Sequence, residues 1–231
     1  MSITYYEHSE GIKLLAKMLH DEKLVPIIGS GFTMKCPTKK STVPDGNLAT
    51  ELMKEIINDY RQINLMNADF NKTSERFFSI VPKERQWAFF ETYFTGVNLS
   101  NYRFDFLELP WAYIYTLNID DGIERTGLYT PILPYQNAKV PNTSMKIVYK
   151  LHGDAMHEVL YKVQKNIVFS VNQYIEFLTS NSNKTIYNAI SSDYAQKNLL
   201  FIGCSLANEP DLKYIYSLEI YNASATPKIK R

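Results

Sequence analysis

The chain of 231 residues holds only two cysteines, Cys36 and Cys204. Two are too few for a disulfide framework and cannot build a four-cysteine zinc site. Charge of one sign is also lacking: 25 basic residues stand against 24 acidic ones, a formal net charge of +1. Such a balance argues against nucleic acid or an anionic membrane as the main partner. No run approaches the roughly 18–20 apolar residues that span a bilayer. The start, Met1 to His8, has no basic region followed by an apolar stretch, so it does not read as a signal peptide, and a cytoplasmic location is expected. Nine glycines and ten prolines leave little room for long disordered tracts. Internal repeats and low-complexity blocks are absent.

What is present suits one large domain, or one domain carrying an inserted lobe, with enough apolar residues for a core. Ile12, Leu15, Ala16 and Leu19 give one apolar face to a helix over about 9–21. The run Leu24-Val25-Pro26-Ile27-Ile28 reads as a short buried strand, its proline placed where a ladder bond is missing or where the strand starts late. Residues 34–46 read as a polar loop. A helix is predicted over about 47–63, with Leu48, Leu52, Ile56 and Tyr60 stepping by four. Residues 66–108 show no strand pattern, and their many aromatics predict a helical insertion packed as core. Further strands are expected at Trp111–Leu117, Thr130–Leu133, Lys146–Leu151, Asn166–Ser170 and Asn198–Ile202. A short helix is expected after Asn118, with helices through Tyr174, over about 183–196 and over about 208–221.

Four of these strands end in a small polar motif. Ile28 runs into Gly29-Ser30-Gly31-Phe32-Thr33, Leu117 into Asn118-Ile119-Asp120, Leu151 into His152-Gly153-Asp154, and Ile202 into Gly203-Cys204-Ser205-Leu206. Open parallel sheets bind ligands beyond the carboxyl ends of their strands, so the four motifs are expected to converge on one crevice. The fold class read from this is α/β, a Rossmann-like parallel sheet flanked by helices.

Each motif has a chemical and a bland reading. Gly29 and Gly31 permit a tight turn and a close backbone approach suited to phosphate, or a plain strand-to-helix turn. The full dinucleotide fingerprint needs a small residue where Met34 stands, and the Gly-Lys-Ser/Thr of a P-loop is absent. Asn118 and Asp120, two apart in extended chain, point to one side. Asn118 can hold a carboxamide or position a water, Asp120 can accept from an amide, and both can instead cap a helix. His152 is a candidate proton acceptor, or a satisfied structural residue. Cys204 reads as a buried thiol rather than a nucleophile. Ser205 lacks the Gly-x-Ser-x-Gly elbow, and no zincin, EF-hand or kinase signature occurs.

In this order the four motifs resemble those of the sirtuin (SIR2) family, over roughly residues 24–215. The departures point to one branch. Two cysteines cannot supply the zinc ribbon of the protein-deacylating sirtuins, and the stretch Val43-Pro44-Asp45-Gly46-Asn47 lacks their Asp-Phe-Arg. The pattern is more similar to the SIR2-like domains of bacterial anti-phage defence proteins, which hydrolyse NAD to nicotinamide and ADP-ribose and favour a helical insertion before the Asn-containing strand.

That resemblance implies a Rossmann-like fold with NAD as substrate and no zinc or other metal. Gly29, Ser30, Gly31, Phe32 and Thr33 would hold the pyrophosphate, and Asp120 the nicotinamide end. Asn118 would orient the water or the ribose, and His152 would act as base or hydrogen-bond the ribose hydroxyls. Gly203 and Ser205 would contact the adenosine half, and Asp45 would face the developing ribosyl cation. A non-catalytic NAD or ADP-ribose sensing module and an NAD-dependent protein deacylase are the alternatives. The further expectations are a homo-oligomer, control by a regulatory domain or a partner protein sensing infection, and no membrane partner. Residues 1–231 are expected to be the N-terminal part of a longer protein.

Overall fold

The computed structural model describes residues 4–134, 144–162, 167–179 and 184–204. Its frame is a five-stranded sheet in the order β3-β4-β2-β1-β5, with every pairing parallel. The strands are β1 (Leu24–Ile28), β2 (Tyr113–Thr116), β3 (Tyr129–Ile132), β4 (Lys146–Lys150) and β5 (Asn198–Ile202). Helix α1 (His8–His20) precedes β1, and α2 (Gly46–Arg61), α3 (Phe70–Ile80), α4 (Lys83–Phe94) and α5 (Asn101–Glu108) lie between β1 and β2. Helices α6 (Ala155–Tyr161), α7 (Val171–Thr179) and α8 (Lys184–Gln196) lead from β4 to β5. Among the described residues no helix is long and apolar enough to cross a membrane.

Burial on both faces explains the near-continuous apolar strands. Successive side chains alternate across the sheet. Val25 and Ile27 therefore join Tyr115, Leu117 and Leu151 under Ile186, Tyr187 and Ile190 of α8. Leu24 and Ile28 face the other way, joining Ile114 and Val148 with Leu107 of α5, while Met18 and Leu19 of α1 pack against them. Ile186 and Ile190, one helical turn apart, are buried almost completely, and each contributes about 1.5–3 kcal/mol by leaving water. Pro26 fits inside β1 because alternate residues address alternate neighbours. Its missing N–H would point toward β2, and β1 pairs with β2 only from Ile27 onward.

A third core sits beyond the carboxyl ends of the strands. It joins Met53 and Ile57 of α2, Phe77 of α3 and Phe89, Phe90 and Phe94 of α4 to Ile119, Ala155 and Ile167. The predicted helical insertion is thus α3, α4 and α5. Its first two helices share a core with α2 and α6, and α5 packs on the sheet.

Several expectations are corrected. The α2 stripe that is fully buried is Ala49, Met53 and Ile57, one residue on from the predicted one, and Leu48 is 48% exposed. On α1 the predicted face is largely open, with Ile12 53% exposed. Of the strand expected at Asn166–Ser170, residues 167–170 form only a bridge, Ile167 to Gly153, and Asn166 lies outside the described residues. There Val168 N–H bonds to the His152 carbonyl, and the N–H groups of Phe169 and Ser170 bond to the Gln173 side chain, so the backbone is satisfied without a sheet partner. The helix expected after Asn118 is a single 3-10 turn, Glu124–Thr126. The helix expected over 208–221 lies outside the described residues.

Candidate active site

The four strands with polar ends, β4, β2, β1 and β5, are consecutive in the sheet and parallel, so their carboxyl ends meet. Register fixes the neighbours. Thr116 is level with Ile28 on one side and Lys150 on the other, which sets Asn118 and His152 two residues beyond a matched pair. Thr116 also ties the strands together, its hydroxyl donating to the Ile28 carbonyl at 3.1 Å and accepting from Asn118 N–H at 3.1 Å.

The first motif turns through a 3-10 helix, Ser30–Phe32, directly after β1. Gly29 N–H bonds to the Ile202 carbonyl and Gly31 N–H to the Gly203 carbonyl. The close approach that glycine permits is to the β5 end: a Cβ on Gly29 would lie 2.7 Å from Gly203 O and 2.8 Å from Cys204 Sγ. Ser30 is exposed at the turn. The Phe32 ring is buried instead, edge-on to Phe106 at 5.8 Å. The N–H groups of Gly29, Gly31, Phe32 and Thr33 are all bonded within the fold, so what this motif presents is the exposed Ser30, while Thr33 is fully buried.

Thr33 is the link to the second motif. Its hydroxyl donates to Asp120 Oδ2 at 2.7 Å and accepts from Asn118 Nδ2 at 3.0 Å. Because the hydroxyl proton goes to the carboxylate, the Asn118 group facing Thr33 must be the NH₂. Asn118 Oδ1 is thereby turned elsewhere, and it is buried with no hydrogen-bond partner among the described residues. A buried acceptor left unmade costs about 1–3 kcal/mol, a cost that a donor from a ligand removes. Asp120 Oδ1 accepts from Gly122 N–H at 3.0 Å. Neither side chain caps a helix. Burial pushes the Asp120 carboxyl up, opposed by Lys150, the Thr33 hydroxyl and the Gly122 N–H.

His152 is 7% exposed and stands edge-on to Tyr174 of α7, whose hydroxyl is 3.2 Å from Nε2. Asp45 lies at the amino end of α2, where its carboxylate accepts from Leu48 N–H at 2.8 Å and caps the helix. Gly203 has φ +65 and packs on the first motif. Ser205 lies outside the described residues.

Beneath this crevice is a group that sequence reasoning missed. Lys150, the last residue of β4, is fully buried. Its ammonium donates to the Asp120 carbonyl at 2.6 Å and to Asp154 Oδ2, and lies 2.8 Å from Glu124 Oε1. Burial alone would lower its pKa, but Asp154, Glu124 and Asp120 outweigh that and hold it above the ordinary lysine value. Asp154 Oδ1 caps α6 through His157 N–H. Asp121 accepts from Gly96 and Val97 N–H at 2.8 and 2.9 Å and so pins the loop after α4. The one available signal was a lysine closing an apolar strand four residues before Asp154.

Fold and site together define a class: a Rossmann-like α/β protein with buried polar side chains gathered at adjacent strand ends. A family model of the SIR2-like domain matches residues 112–227, half of the chain, and the chain belongs to that family. Membership brings an NAD-related activity in general, in a family that uses NAD. The match takes in Asn118, Asp120, His152 and Gly203; the Gly29–Thr33 turn precedes it. No curated protein matches the chain.

Proposed function

We propose that the chain is an NAD+ glycohydrolase, cleaving the nicotinamide–ribose bond to nicotinamide and ADP-ribose. The observation that carries this reading is Asn118: an amide clamped on its NH₂ side by Thr33, with a buried and unfilled Oδ1 at the strand ends. Such an acceptor suits the attacking water or a ribose hydroxyl, each of which brings an O–H. Cleavage builds positive charge on the ribose, an oxocarbenium-like state, and a fixed negative dipole beside it lowers the barrier. Asp120, held by Thr33 and Gly122, would support the same charge. His152 supplies a proton acceptor one strand away. The turn at Gly29–Thr33 would receive the pyrophosphate, and Gly203 and Ser205 would contact the adenosine half. In keeping with the resemblance, the reading extends to a homo-oligomeric effector of anti-phage defence that depletes NAD under the control of a regulatory domain or partner.

One observation favours a second reading, a module that binds NAD or ADP-ribose without turnover. The His152 Nε2 already faces Tyr174, as expected of a positioned structural ring. Chromatography of NAD incubated with the full chain separates the two. Glycohydrolase activity gives nicotinamide and ADP-ribose, reduced at least a hundredfold in Asn118→Ala. Intact NAD over hours, with calorimetric binding, establishes the module instead.

A further inference from the structure

Beside the crevice, on the far side of Lys150 and its partners, the described residues line an open pocket of about 330 Å³ between the turn Glu124–Thr126, the end of β3 and helix α6. It is at the small end of the usual ligand-pocket range of about 300–1,000 Å³. None of the crevice residues Gly29, Thr33, Asn118, Asp120 and His152 lines it. Leu133, Met156, Leu160 and Tyr161 give it apolar walls, and Leu160 and Tyr161, each 65% exposed, lie at its mouth.

The polar part of the lining is acidic and incompletely paired. Asp154 is committed to Lys150 and to the α6 cap. Asp121 is committed to two backbone N–H groups, with Arg125 offsetting its charge, and Arg125 itself donates to the Val97 carbonyl at 3.2 Å. Glu124 is left sharing Lys150 with two other carboxylates, and its Oε2 is buried without a hydrogen-bond partner among the described residues. His157 Nδ1, on the facing helix, is buried and unpartnered in the same sense. Among the described residues no set of three or more His, Cys, Asp or Glu side chains is placed to hold a metal ion.

We propose that this cavity is a binding site for a small organic cation with an apolar body, an ammonium or amidinium carried on a ring or short chain. The cation pairs with Glu124, and its body lies against Leu133, Met156 and Tyr161. Charge supports this: three carboxylates against Arg125 and the buried Lys150 leave one negative charge unmatched. Burial, partly offset by Lys150 and reinforced by Asp154, pushes the Glu124 carboxyl up to about 7. The site stands whichever reaction the crevice carries.

Calorimetric titration of the full chain with benzamidine at pH 8 tests the proposal, with benzamide as the neutral control of the same shape. Saturable one-to-one binding is expected, at least tenfold tighter than benzamide. Affinity should fall at least tenfold in Glu124→Gln and in Leu160→Lys, which sets a like charge at the mouth, and stay unchanged in Asn118→Ala. Leu160 is exposed, so its variant keeps the test open even where Glu124→Gln fails to fold. The proposal is overturned by the absence of saturable benzamidine binding, by equal binding of benzamide, by an unchanged Kd in Leu160→Lys, or by a loss in Asn118→Ala as large as that in Glu124→Gln.

Discussion

At the scale of the residue, the Thr33 hydroxyl does two things that no neighbour duplicates: it donates to Asp120 and orients Asn118. Thr33→Val keeps the shape and removes both bonds, leaving a buried carboxylate and a buried amide each short of a partner. A loss of about 2–4 kcal/mol in urea unfolding is expected, with Thr33→Ser restoring most of it. On the glycohydrolase reading, kcat falls at least tenfold in the valine variant while KM moves little, because the amide that meets the reacting group is no longer held. Glu124 gives a pH signature. Its folded-state pKa of about 7 lies above the ordinary carboxylate value. The folded chain therefore binds the extra proton, and stability falls as pH rises from about 4.5 to about 7, by at most about 3 kcal/mol. Asp120 and Asp121, also raised by burial, act with the same sign. Urea unfolding at pH 5 and pH 8 should show this decline, and Glu124→Gln should flatten it. Asn118, Asp120 and His152 could be read in the sequence because a polar residue ending an apolar strand has few local uses. Lys150, Glu124 and Asp154 could not, because their pairing needs the 3-10 turn and β4 to be brought side by side.

At the scale of the element, the loops after β1 and β5 act as one piece, joined by Gly31 N–H to the Gly203 carbonyl and packed at glycine contact distance. Gly203 combines a left-handed φ of +65 with a Cβ position 2.5 Å from Phe32 N. Gly127 has a similar φ of +74 but open space around it. The pair separates backbone strain from steric contact. Gly127→Ala should cost about 1–2 kcal/mol, the left-handed penalty alone. Gly203→Ala should cost clearly more and lower NAD affinity, because the first motif must shift. Equal losses in thermal or urea unfolding would show that the two loops can part freely. The strands and most helices were legible, since period and punctuation are local signals. The phase of α2 was not: its 48/52/56 and 49/53/57 stripes are both apolar enough, and packing against α3 and α4 chose the second. The segment 166–170 was misread for a related reason. Its β-rich composition serves Phe169, whose ring packs against Phe70, Phe78, Phe90 and Phe94 in the helical core.

At the scale of the molecule, the helical core lies over the carboxyl ends of the strands and meets the sheet through Ile119, Ala155 and Ile167. Each of these residues directly follows a crevice or network residue in the chain or bridges to one, as Ile167 does to Gly153. Lys150 is the charged counterpart of that seam. Its ammonium gathers the carbonyl of Asp120 after β2, Glu124 in the turn toward β3 and Asp154 at the head of α6. Removing one member of a buried ion group costs more than the group itself contributes, because the partners stay buried and uncompensated. Lys150→Met, similar in length and apolar, should therefore lose about 3–5 kcal/mol at pH 8. The loss should be smaller at pH 5, where Glu124, raised to about 7, is protonated and needs no cation. Adding Glu124→Gln to Lys150→Met should recover part of the deficit at pH 8 and almost none at pH 5, a non-additivity that a double-mutant cycle in urea reads directly. A deficit of equal size at both pH values would mean that Lys150 matters through Asp154 and the Asp120 carbonyl, and that the turn is not joined to the sheet through the Glu124 charge.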